Sequence, residues 1–323
     1  MIYEFGREST AEQVANALSD SIQGKNVLIT GATWGGLGAE AARVIAKHGA
    51  NLVIVAGRRQ SSLDETVAKI KQETPDSNLR PLIIDLASLD SVRHAAQEVN
   101  GYPEPIDVLI NNAAIMASPY QATVDGFESQ FGTNHLGPFV FTNLILPRLL
   151  ASKCGARVVN VSSTGHHMSS IRFSDPGFSN GNRYNKWQAY GQSKTANILF
   201  AKEISNRYKS KGLTAFSLHP GAIVTNLQDH LNMAEECSSG LLDAEGQPFF
   251  TEQMQHWNEP KTLAQGTATH IAAAFDPSIR DQSGSYLLDA RINNAAARTY
   301  ALDNYNARKL WELSEMLVDT RFK

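Results

Sequence analysis

The chain has 323 residues, with 29 lysines and arginines against 32 aspartates and glutamates, and its formal net charge is −3. Hydrophobic residues make up 42% and charged residues 19%, which is typical of a folded globular protein and argues against intrinsic disorder. The nearly balanced charge argues against nucleic acid as the main partner. The two cysteines, Cys154 and Cys237, predict neither a disulfide framework nor a cysteine zinc site.

No segment of the sequence has the composition of a membrane span. A span needs roughly 18 apolar residues without interruption, and the most apolar segment, residues 139–150, contains Asn143, Pro147 and Arg148. The first ten residues are acidic early and lack the apolar core of a secretory signal. We therefore expect a soluble, cytoplasmic protein without a membrane span.

The lead-in of residues 1–24 is polar and predicts one helix, at whose start Ser9 and Glu12 have the spacing of a capping box. Short β-branched runs and amphipathic stretches then alternate. The expected strands are residues 26–30, 51–56, 82–84, 108–110, 158–161, 214–218 and 285–288. The expected helices are residues 39–48, 63–73, 89–99, 125–150, 187–211 and 262–275. This alternation predicts an α/β fold, a doubly wound, mostly parallel sheet of the Rossmann type with helices on both faces.

The alternation contains no linker, so we expect one Rossmann-type domain over residues 1–323. It stops between residues 225 and 260, where apolar residues stand among acidic ones. These apolar residues are Met233, Leu241, Phe249, Phe250 and Trp257. We expect this excursion to form a lid over an apolar substrate, and a small local core is the alternative.

The first predicted strand leads into a glycine-rich turn, Gly31-Ala-Thr-Trp-Gly35-Gly36-Leu37-Gly38, and then into an alanine-rich helix. Glycines in this position let backbone amides approach a pyrophosphate, and the helix N-terminus adds partial positive charge. A tight turn without a ligand is the alternative, but the strand, turn and helix context favours a dinucleotide.

The end of the second predicted strand indicates which dinucleotide is bound. An NAD site normally has an acidic residue here for the ribose 2′-hydroxyl, whereas an arginine suits the 2′-phosphate of NADP. No acidic residue occurs between residues 51 and 59, and Arg58 and Arg59 follow the apolar run. The alternative is a solvated basic turn; we expect NADP(H).

Tyr190 and Lys194 are four residues apart in a predicted helix and therefore share one face. A tyrosine with a pKa of about 10 is a poor acid–base group at neutral pH. A neighbouring ammonium and a cationic nicotinamide would lower that pKa. The same spacing recurs at Tyr305 and Lys309, where we expect only a surface helix, whereas Ser163 ends the strand before Tyr190, where open α/β sheets bind ligands.

An ordered set of motifs runs from about Lys25 to Leu288. The motifs are Thr30-Gly31, Gly36-Leu37-Gly38, Asp85-Leu86, Asn111-Asn112-Ala113-Ala114, Thr133-Asn134-His135-Leu136-Gly137, Asn160-Val161-Ser162-Ser163, Tyr190-Gly-Gln-Ser-Lys194 and His219-Pro220-Gly221 with Thr225. In this order they resemble the single-domain short-chain dehydrogenases/reductases. His166-His167 and the residues after Lys194 resemble the retinol-dehydrogenase and WW-domain-oxidoreductase branch.

The resemblance implies a catalytic group of four residues. Tyr190 would be the general acid in carbonyl reduction, and Ser163 would stabilise the charge that develops on the substrate oxygen. Lys194 would hold the nicotinamide ribose and lower the pKa of the tyrosine, while Asn134 would hold a water that connects Lys194 to solvent. Ser162 is the alternative to Ser163, because side chains alternate along the emerging strand.

The resemblance also implies a cofactor-binding set. Asp85 would contact adenine, Asn112 would stabilise the cofactor side of the sheet, and Pro220, Gly221 and Thr225 would line the nicotinamide end. The full set comprises Gly31, Gly36, Leu37, Gly38, Arg58, Arg59, Asp85, Leu86, Asn112, Ala113, Tyr190, Lys194, Pro220, Gly221 and Thr225.

Three features depart from the family pattern. The glycine turn is one residue longer, which leaves open which residue contacts the pyrophosphate, although Gly38 is expected to open the helix. Membrane-bound retinol dehydrogenases usually carry an N-terminal hydrophobic anchor that this sequence lacks, so a retinoid substrate is not favoured. The 26 residues between Ser163 and Tyr190 predict an inserted loop over 166–185 beside the site.

Other functions and partners are less favoured. Two adjacent histidines, His166 and His167, rarely form a zinc site, so no metal is expected, and His219 is expected to be a packing or hydrogen-bonding residue. A nucleotide-bound regulatory protein would have lost catalytic residues. A C=C reductase of the protochlorophyllide type relies on a cysteine near the tyrosine. The nearest cysteine, Cys154, precedes the strand that leads to Ser163, so this activity is not favoured. A homodimer through residues 125–150 and 187–211 fits the family, unless the inserted loop blocks that surface.

Overall fold

In the computed structural model, eight strands form one sheet, and the description covers residues 4–232, 236, 240–249, 251–252, 256 and 259–322. The strands are β1 (Asn26–Thr30), β2 (Leu52–Gly57), β3 (Leu79–Ile83), β4 (Val108–Asn111), β5 (Arg157–Val161), β6 (Thr214–His219), β7 (Tyr286–Leu288) and β8 (Arg291–Ile292). Their order is β3-β2-β1-β4-β5-β6-β7-β8, parallel except for the antiparallel pair β7 and β8. The order from β3 to β6 is that of the doubly wound dinucleotide-binding fold. The predicted fold class is confirmed.

Helices cover both faces of the sheet. The helices are α1 (Ala11–Ala17), α2 (Ser19–Ile22), α3 (Leu37–Lys47), α4 (Gln60–Glu73), α5 (Leu89–Asn100), α6 (Ser129–Phe131), α7 (Gly137–Leu144), α8 (Leu146–Leu150), α9 (Lys186–Tyr208), α10 (Leu263–Phe275), α11 (Thr299–Leu302) and α12 (Asn304–Leu317). Successive residues of β1 enter opposite cores, since Leu28 packs on one face while Val27 and Ile29 pack on the other. Burial on both faces explains why the strands are almost continuously apolar.

The N-terminal lead-in contains two short helices, α1 and α2, and its capping box lies one residue later than predicted. The Thr10 hydroxyl accepts from the Gln13 amide at 3.3 Å, and the Gln13 side chain accepts from the Thr10 amide at 2.9 Å. The assignment to Ser9 and Glu12 was therefore wrong. Both pairs fit the spacing rule, and burial of Ala11 in the core decides the register.

The single helix predicted over residues 125–150 is a series of short segments. The Glu128 carboxylate caps the first turn by accepting from the amides of Gln130 and Phe131 at 2.8 and 2.7 Å. A π turn, Gly132–Leu136, then separates α6 from α7. Pro147 lies at the start of α8, where its missing N–H is tolerated after the break at residue 145. A π turn inside a helix often accompanies a functional site, and this one contains Asn134.

The C-terminal helix α12 packs on α7 and α9. The Trp311 ring is 2% exposed and lies with its centroid 5.0 Å from Phe139, 6.0 Å from Phe200 and 6.4 Å from Tyr208. Tyr305, on the opposite face of α12, is 59% exposed, as expected for a surface helix. Of the helices that the structure describes, none is both long and apolar enough to cross a bilayer.

Candidate active site

A cleft of about 910 Å³ lies beyond the carboxyl ends of the parallel strands. It collects most of the residues that the sequence motifs single out. Those that line it are Gly31, Gly36, Leu37, Arg58, Arg59, Asp85, Leu86, Asn112, Ala113, Ser163, Tyr190, Lys194, Pro220, Gly221 and Thr225. Gly38 and Asn134 do not line the cleft and lie behind its wall. The motifs meet here because all parallel strands end at the same edge of the sheet.

The glycine turn brings backbone close to backbone at the end of β1. Gly31 has φ of +69°, and a Cβ there would lie 2.7 Å from the Cα of Ala113. A Cβ on Gly38 would lie 2.6 Å from both the Asn112 side-chain nitrogen and the Gly31 carbonyl oxygen. Only glycine fits at these two positions, so the helix α3 can sit directly against the ends of β1 and β4.

The extra residue of the turn is accommodated at Gly35, which has φ of +85°. Gly36 is the N-cap residue of α3, and Leu37 is its first helical residue. The expectation that Gly38 opens the helix was therefore wrong by one residue. Gly36 and Leu37 line the cleft, so the start of α3 with its free amides lies beside it, as a pyrophosphate site requires.

Asn112 and Thr30 join the ends of β4 and β1. The Thr30 hydroxyl accepts from the backbone amides of Asn112 and Ala113 at 3.0 and 3.1 Å. The Asn112 side-chain amide donates to the carbonyl oxygens of Thr30 and Gly31 at 3.0 and 3.2 Å. These bonds hold the turn in place and explain why the threonine precedes the glycine.

Two guanidinium groups stand at the edge of the cleft after β2. Arg58 and Arg59 are exposed and line the cleft, and neither side chain has a hydrogen-bond or ion-pair partner among the described residues. Asp85, after β3, organises its own turn by accepting from the Ala87 amide at 3.0 Å. The edge of the cleft beside β2 therefore carries unpaired positive charge.

Tyr190 and Ser163 come together between α9 and the end of β5. The Tyr190 ring and the Ser163 hydroxyl both lie against Gly165, and the Ser163 hydroxyl accepts from the Gly165 amide at 3.0 Å. The tyrosine ring lies directly on Gly165, where a Cβ would come within 2.7 Å of the ring. The glycine thus lets the phenol reach the serine.

The neighbouring Ser162 faces the other way. Its hydroxyl is buried and donates to the backbone carbonyl of Lys194 at 2.7 Å, which ties β5 to α9. Of the two candidate serines, Ser163 is the one whose hydroxyl lies beside the Tyr190 ring at Gly165. Alternation of side chains at the strand end accounts for the difference.

Comparisons with known proteins identify the family of the chain. A sequence profile described as short chain dehydrogenase matches residues 25–175. Short-chain dehydrogenase TIC 32 A, chloroplastic, of Brassica napus is 36% identical, covering 98% of this chain and 95% of its own. Retinol dehydrogenase 13 of Mus musculus is 39% identical, covering 92% of this chain and 85% of its own. The chain belongs to the short-chain dehydrogenase family.

Solved structures show the same fold. An uncharacterized protein from Mycobacterium paratuberculosis is 35% identical, with a TM-score of 0.70 and coverage of 94% of this chain and 96% of its own. A short-chain dehydrogenase from Escherichia coli CFT073, solved in complex with NADPH, is 24% identical, with a TM-score of 0.59 and coverage of 84% and 99%. As a family member, this dehydrogenase is an oxidoreductase that acts between CH–OH and C=O groups with NAD(P)(H).

Burial dominates the electrostatics of this short-chain dehydrogenase. The Lys194 ammonium nitrogen lies 5.6 Å from the centroid of the Tyr190 ring and donates to the Val161 carbonyl at 3.2 Å. Desolvation raises the pKa of Tyr190 to about 12, although the nearby Ser163 hydroxyl acts in the opposite direction. Desolvation also lowers the pKa of Lys194 to about 7. The side chains share one face as expected, but the protein alone does not lower the tyrosine pKa.

Asn134 projects from the π turn towards the backbone of the cleft wall. Its side-chain oxygen accepts from the Ile115 amide at 2.8 Å, and its side-chain nitrogen donates to the Ile115 carbonyl at 2.8 Å and to the Ser193 hydroxyl at 2.9 Å. Three of its four hydrogen-bonding positions are therefore occupied by protein. The water that the family resemblance implies stays a prediction.

The two adjacent histidines bind backbone groups. His166 contacts the Ser163 carbonyl through Nδ1 at 2.6 Å and accepts from the Arg298 amide through Nε2 at 3.1 Å. His167 contacts the Ala296 carbonyl through Nε2 at 3.0 Å. His219, which is buried, accepts from the Thr164 amide through Nδ1 at 3.3 Å. Across the described part of the chain, no three potential metal ligands cluster together.

The cleft has an apolar half beside Tyr190. Met116, Met168, Trp187 and Phe249 are each less than 10% exposed and pack with the tyrosine in one cluster. Leu241 and Phe249 of the expected lid line the cleft, whereas Met233, Phe250 and Trp257 fall outside the described residues. Motif reasoning missed Met116, Met168 and Trp187. Trp187 precedes Tyr190 by three residues on α9, and this helical spacing could have identified it.

Proposed function

We propose that this dehydrogenase interconverts a carbonyl and an alcohol on an apolar small molecule with NADP(H), using Tyr190 as general acid and base. One observation carries the proposal. The phenol of Tyr190 lies beside Ser163, both against Gly165, and stands where the polar half of the cleft meets its apolar half. A substrate oxygen placed between the two hydroxyls would have its carbon skeleton among apolar side chains.

The residues of the polar half suit a phosphorylated dinucleotide. Gly31 and Gly38 leave no space for a side chain, which brings backbone amides to the cleft. Arg58 and Arg59 offer two unpaired guanidiniums where a ribose 2′-phosphate would lie, and a phosphate oxygen is a strong partner for such groups. The NADPH complex of the Escherichia coli relative supports the same choice. When bound, the nicotinamide would supply or accept the hydride.

The chain's own residues would move the proton. A Tyr190 pKa of about 12 keeps the phenol protonated at neutral pH, so it is ready to donate to the substrate oxygen in reduction. Ser163 would donate a hydrogen bond to the same oxygen and stabilise its negative charge. Lys194, with a pKa of about 7, can return a proton to the site after each turnover.

The apolar half supports a hydrophobic aldehyde, ketone or alcohol as substrate. Thioether and aromatic side chains bury carbon skeletons well and supply few hydrogen bonds. Several relatives are named retinol dehydrogenases, including retinol dehydrogenases 12, 13 and 14 of Homo sapiens at 35 to 38% identity. Retinoids therefore belong among the substrates to test, even though the N-terminal sequence did not favour them.

The chain contains its own control for the catalytic tyrosine. Tyr190→Phe keeps the ring on Gly165 and removes the proton, so we expect carbonyl reduction to fall by about 10²- to 10⁴-fold with NADPH binding retained. Tyr305→Phe alters the same Tyr-x-x-x-Lys spacing at an exposed position and should leave the rate unchanged. Normal turnover by the Tyr190→Phe protein would refute the assignment. Absence of NADPH-dependent turnover by the wild-type protein across apolar carbonyls would favour a nucleotide-bound regulatory role.

We further propose one domain over residues 1–323, a lid within residues 225–260 and a cytoplasmic location.

The packing of α12 restricts where a homodimer could form, because Trp311 covers parts of α7 and α9 that the family resemblance assigns to the dimer. We therefore expect any homodimer to use another surface. Light scattering during size-exclusion chromatography would show whether the chain forms a homodimer.

A further inference from the structure

We propose that Arg298 is a specificity-determining positioning residue, whose ion pairs hold the loop of residues 240–249 against the apolar half of the cleft. The inference rests on the proposed function, since it assigns the loop a role in binding the apolar substrate. Arg298 does not line the cleft, so its guanidinium acts on the substrate only through the loop.

The clamp consists of one guanidinium and two carboxylates. Arg298 pairs with the carboxylate of Asp243 and with Glu245 at 2.9 Å. The Asp243 side chain is 10% exposed, so this ion pair is partly shielded from water. Charge-assisted bonds in such a position are stronger than those of a fully solvated pair.

Asp243 connects the clamp to the shape of the loop. Its Oδ1 accepts from the amides of Glu245 and Gln247 at 3.0 and 2.8 Å, while its Oδ2 faces Arg298. The Phe249 amide donates to the Leu241 carbonyl at 2.7 Å and closes the base of the loop. The loop is therefore braced internally and moves as a unit when its attachment changes.

Packing holds the outer side of the loop only weakly. A second cavity of about 440 Å³ lies there, lined by Asp243, Glu245, Phe249 and Arg298. The Ala244 amide also attaches the loop on this side by donating to the His167 carbonyl at 2.9 Å. Polar bonds therefore contribute much of what keeps the loop in place.

The inner side of the loop forms the substrate wall. Phe249 is 5% exposed and packs with Met116, Met168 and Tyr190, and Leu241 packs against this cluster. Loosening the loop would remove apolar surface from the part of the cleft next to the phenol. This loss would weaken the binding of substrates whose carbon chain reaches Phe249 and Leu241, whereas the binding of small substrates would not change.

Arg298 also contacts the segment that follows Ser163, and it does so through its backbone. The Arg298 amide donates to His166 Nε2, and His166 Nδ1 contacts the Ser163 carbonyl. A side-chain substitution leaves this backbone bond available. Arg298→Gln and Asp243→Asn therefore remove the ion pair but keep the backbone bond through which Arg298 reaches His166 and Ser163. Asp243→Asn also keeps the Oδ1 acceptor that shapes the loop.

The test compares KM and kcat for straight-chain aldehydes of increasing length with saturating NADPH. For Arg298→Gln and Asp243→Asn we expect KM for the long aldehydes to rise roughly tenfold, with kcat within about twofold and the KM for NADPH unchanged. The double variant should resemble either single variant, because both remove one interaction. Arg308→Gln removes an exposed ion pair with Glu312 on α12 and serves as the matched control.

Hydrogen exchange of the amides in residues 240–249 supplies a readout that is independent of activity. We expect faster exchange in both clamp variants and wild-type exchange in Arg308→Gln. Unchanged exchange, or an unchanged KM profile, would overturn the role of Arg298. An equal fall in kcat for short and long aldehydes would also overturn it, because it would place the effect at Ser163. If the wild-type protein turns over no apolar aldehyde, ketone or alcohol, the proposed function fails, while the exchange data still decide whether the clamp exists.

Discussion

Buried neutral histidines should make the folded protein sensitive to mild acid. Desolvation lowers the pKa of His135 to about 3, and that of His167 and His270 to about 4 each. Burial also holds the pKa of His166 well below its usual range. In the unfolded chain each imidazole titrates near 6.5, so the unfolded state binds more protons between pH 6.5 and 4. The free energy of unfolding therefore falls as the pH is lowered through this window.

The size of the effect follows from the displaced pKa values. An imidazole that titrates at about 4 when folded and at about 6.5 when unfolded loses about 1 to 2 kcal/mol of stabilisation between pH 6.5 and pH 5. His135, His167 and His270 together would lose about 4 to 5 kcal/mol, which is a large part of the stability of a typical domain. The pH range from 6.5 to 5 lies below the pKa of Lys194 and above the pKa values of ordinary carboxyl groups, so histidines dominate the titration there.

Urea unfolding followed by tryptophan fluorescence at pH 6.5, 6.0, 5.5 and 5.0 would measure this dependence. His135 packs among Phe131, Phe139 and Phe200, so His135→Phe should fold and should weaken the pH dependence. His94→Gln, at a side chain that is 71% exposed, should leave it unchanged. A free energy of unfolding that stays constant from pH 6.5 to pH 5 would refute the reasoning.

Three further predictions test other parts of the structure. Ser163→Ala should lower kcat/KM for carbonyl reduction by about 10²-fold and Ser162→Ala by much less, and steady-state rates in the opposite order would reverse the two assignments. Replacing Arg58 and Arg59 together by serine should raise the KM for NADPH more than tenfold with little change for NADH, whereas an unchanged NADPH preference would exclude the arginines from cofactor choice. Trp311→Ala should cost about 3 to 5 kcal/mol of unfolding free energy in urea titrations, and a loss below about 1 kcal/mol would contradict its place in the core.

Local sequence patterns were sufficient to predict those features that depend on one kind of interaction, such as the burial of strand faces or the spacing along a helix. The alternation of apolar strands and amphipathic helices predicted the parallel sheet, because both faces of such a sheet are buried. Helical spacing correctly placed Tyr190 and Lys194 on one face of α9. The capping residue of α1 was missed because two overlapping pairs fit the same spacing, and the breaks between residues 125 and 150 were missed although Glu128 and Pro147 mark them locally. The short strand β8 was also missed, since two residues carry almost no pattern.

The order of the residues along the chain was enough to predict the family, the sheet and the set of side chains that meet at its carboxyl edge. Only the tertiary structure decided which serine faces the phenol, because a one-residue rotation of a strand end reverses the side chains. It also decided the sign of the pKa changes at Tyr190 and Lys194, because desolvation depends on everything packed around a group. The apolar wall of Met116, Met168 and Phe249 comes from three separate segments, and no spacing in the sequence connects them.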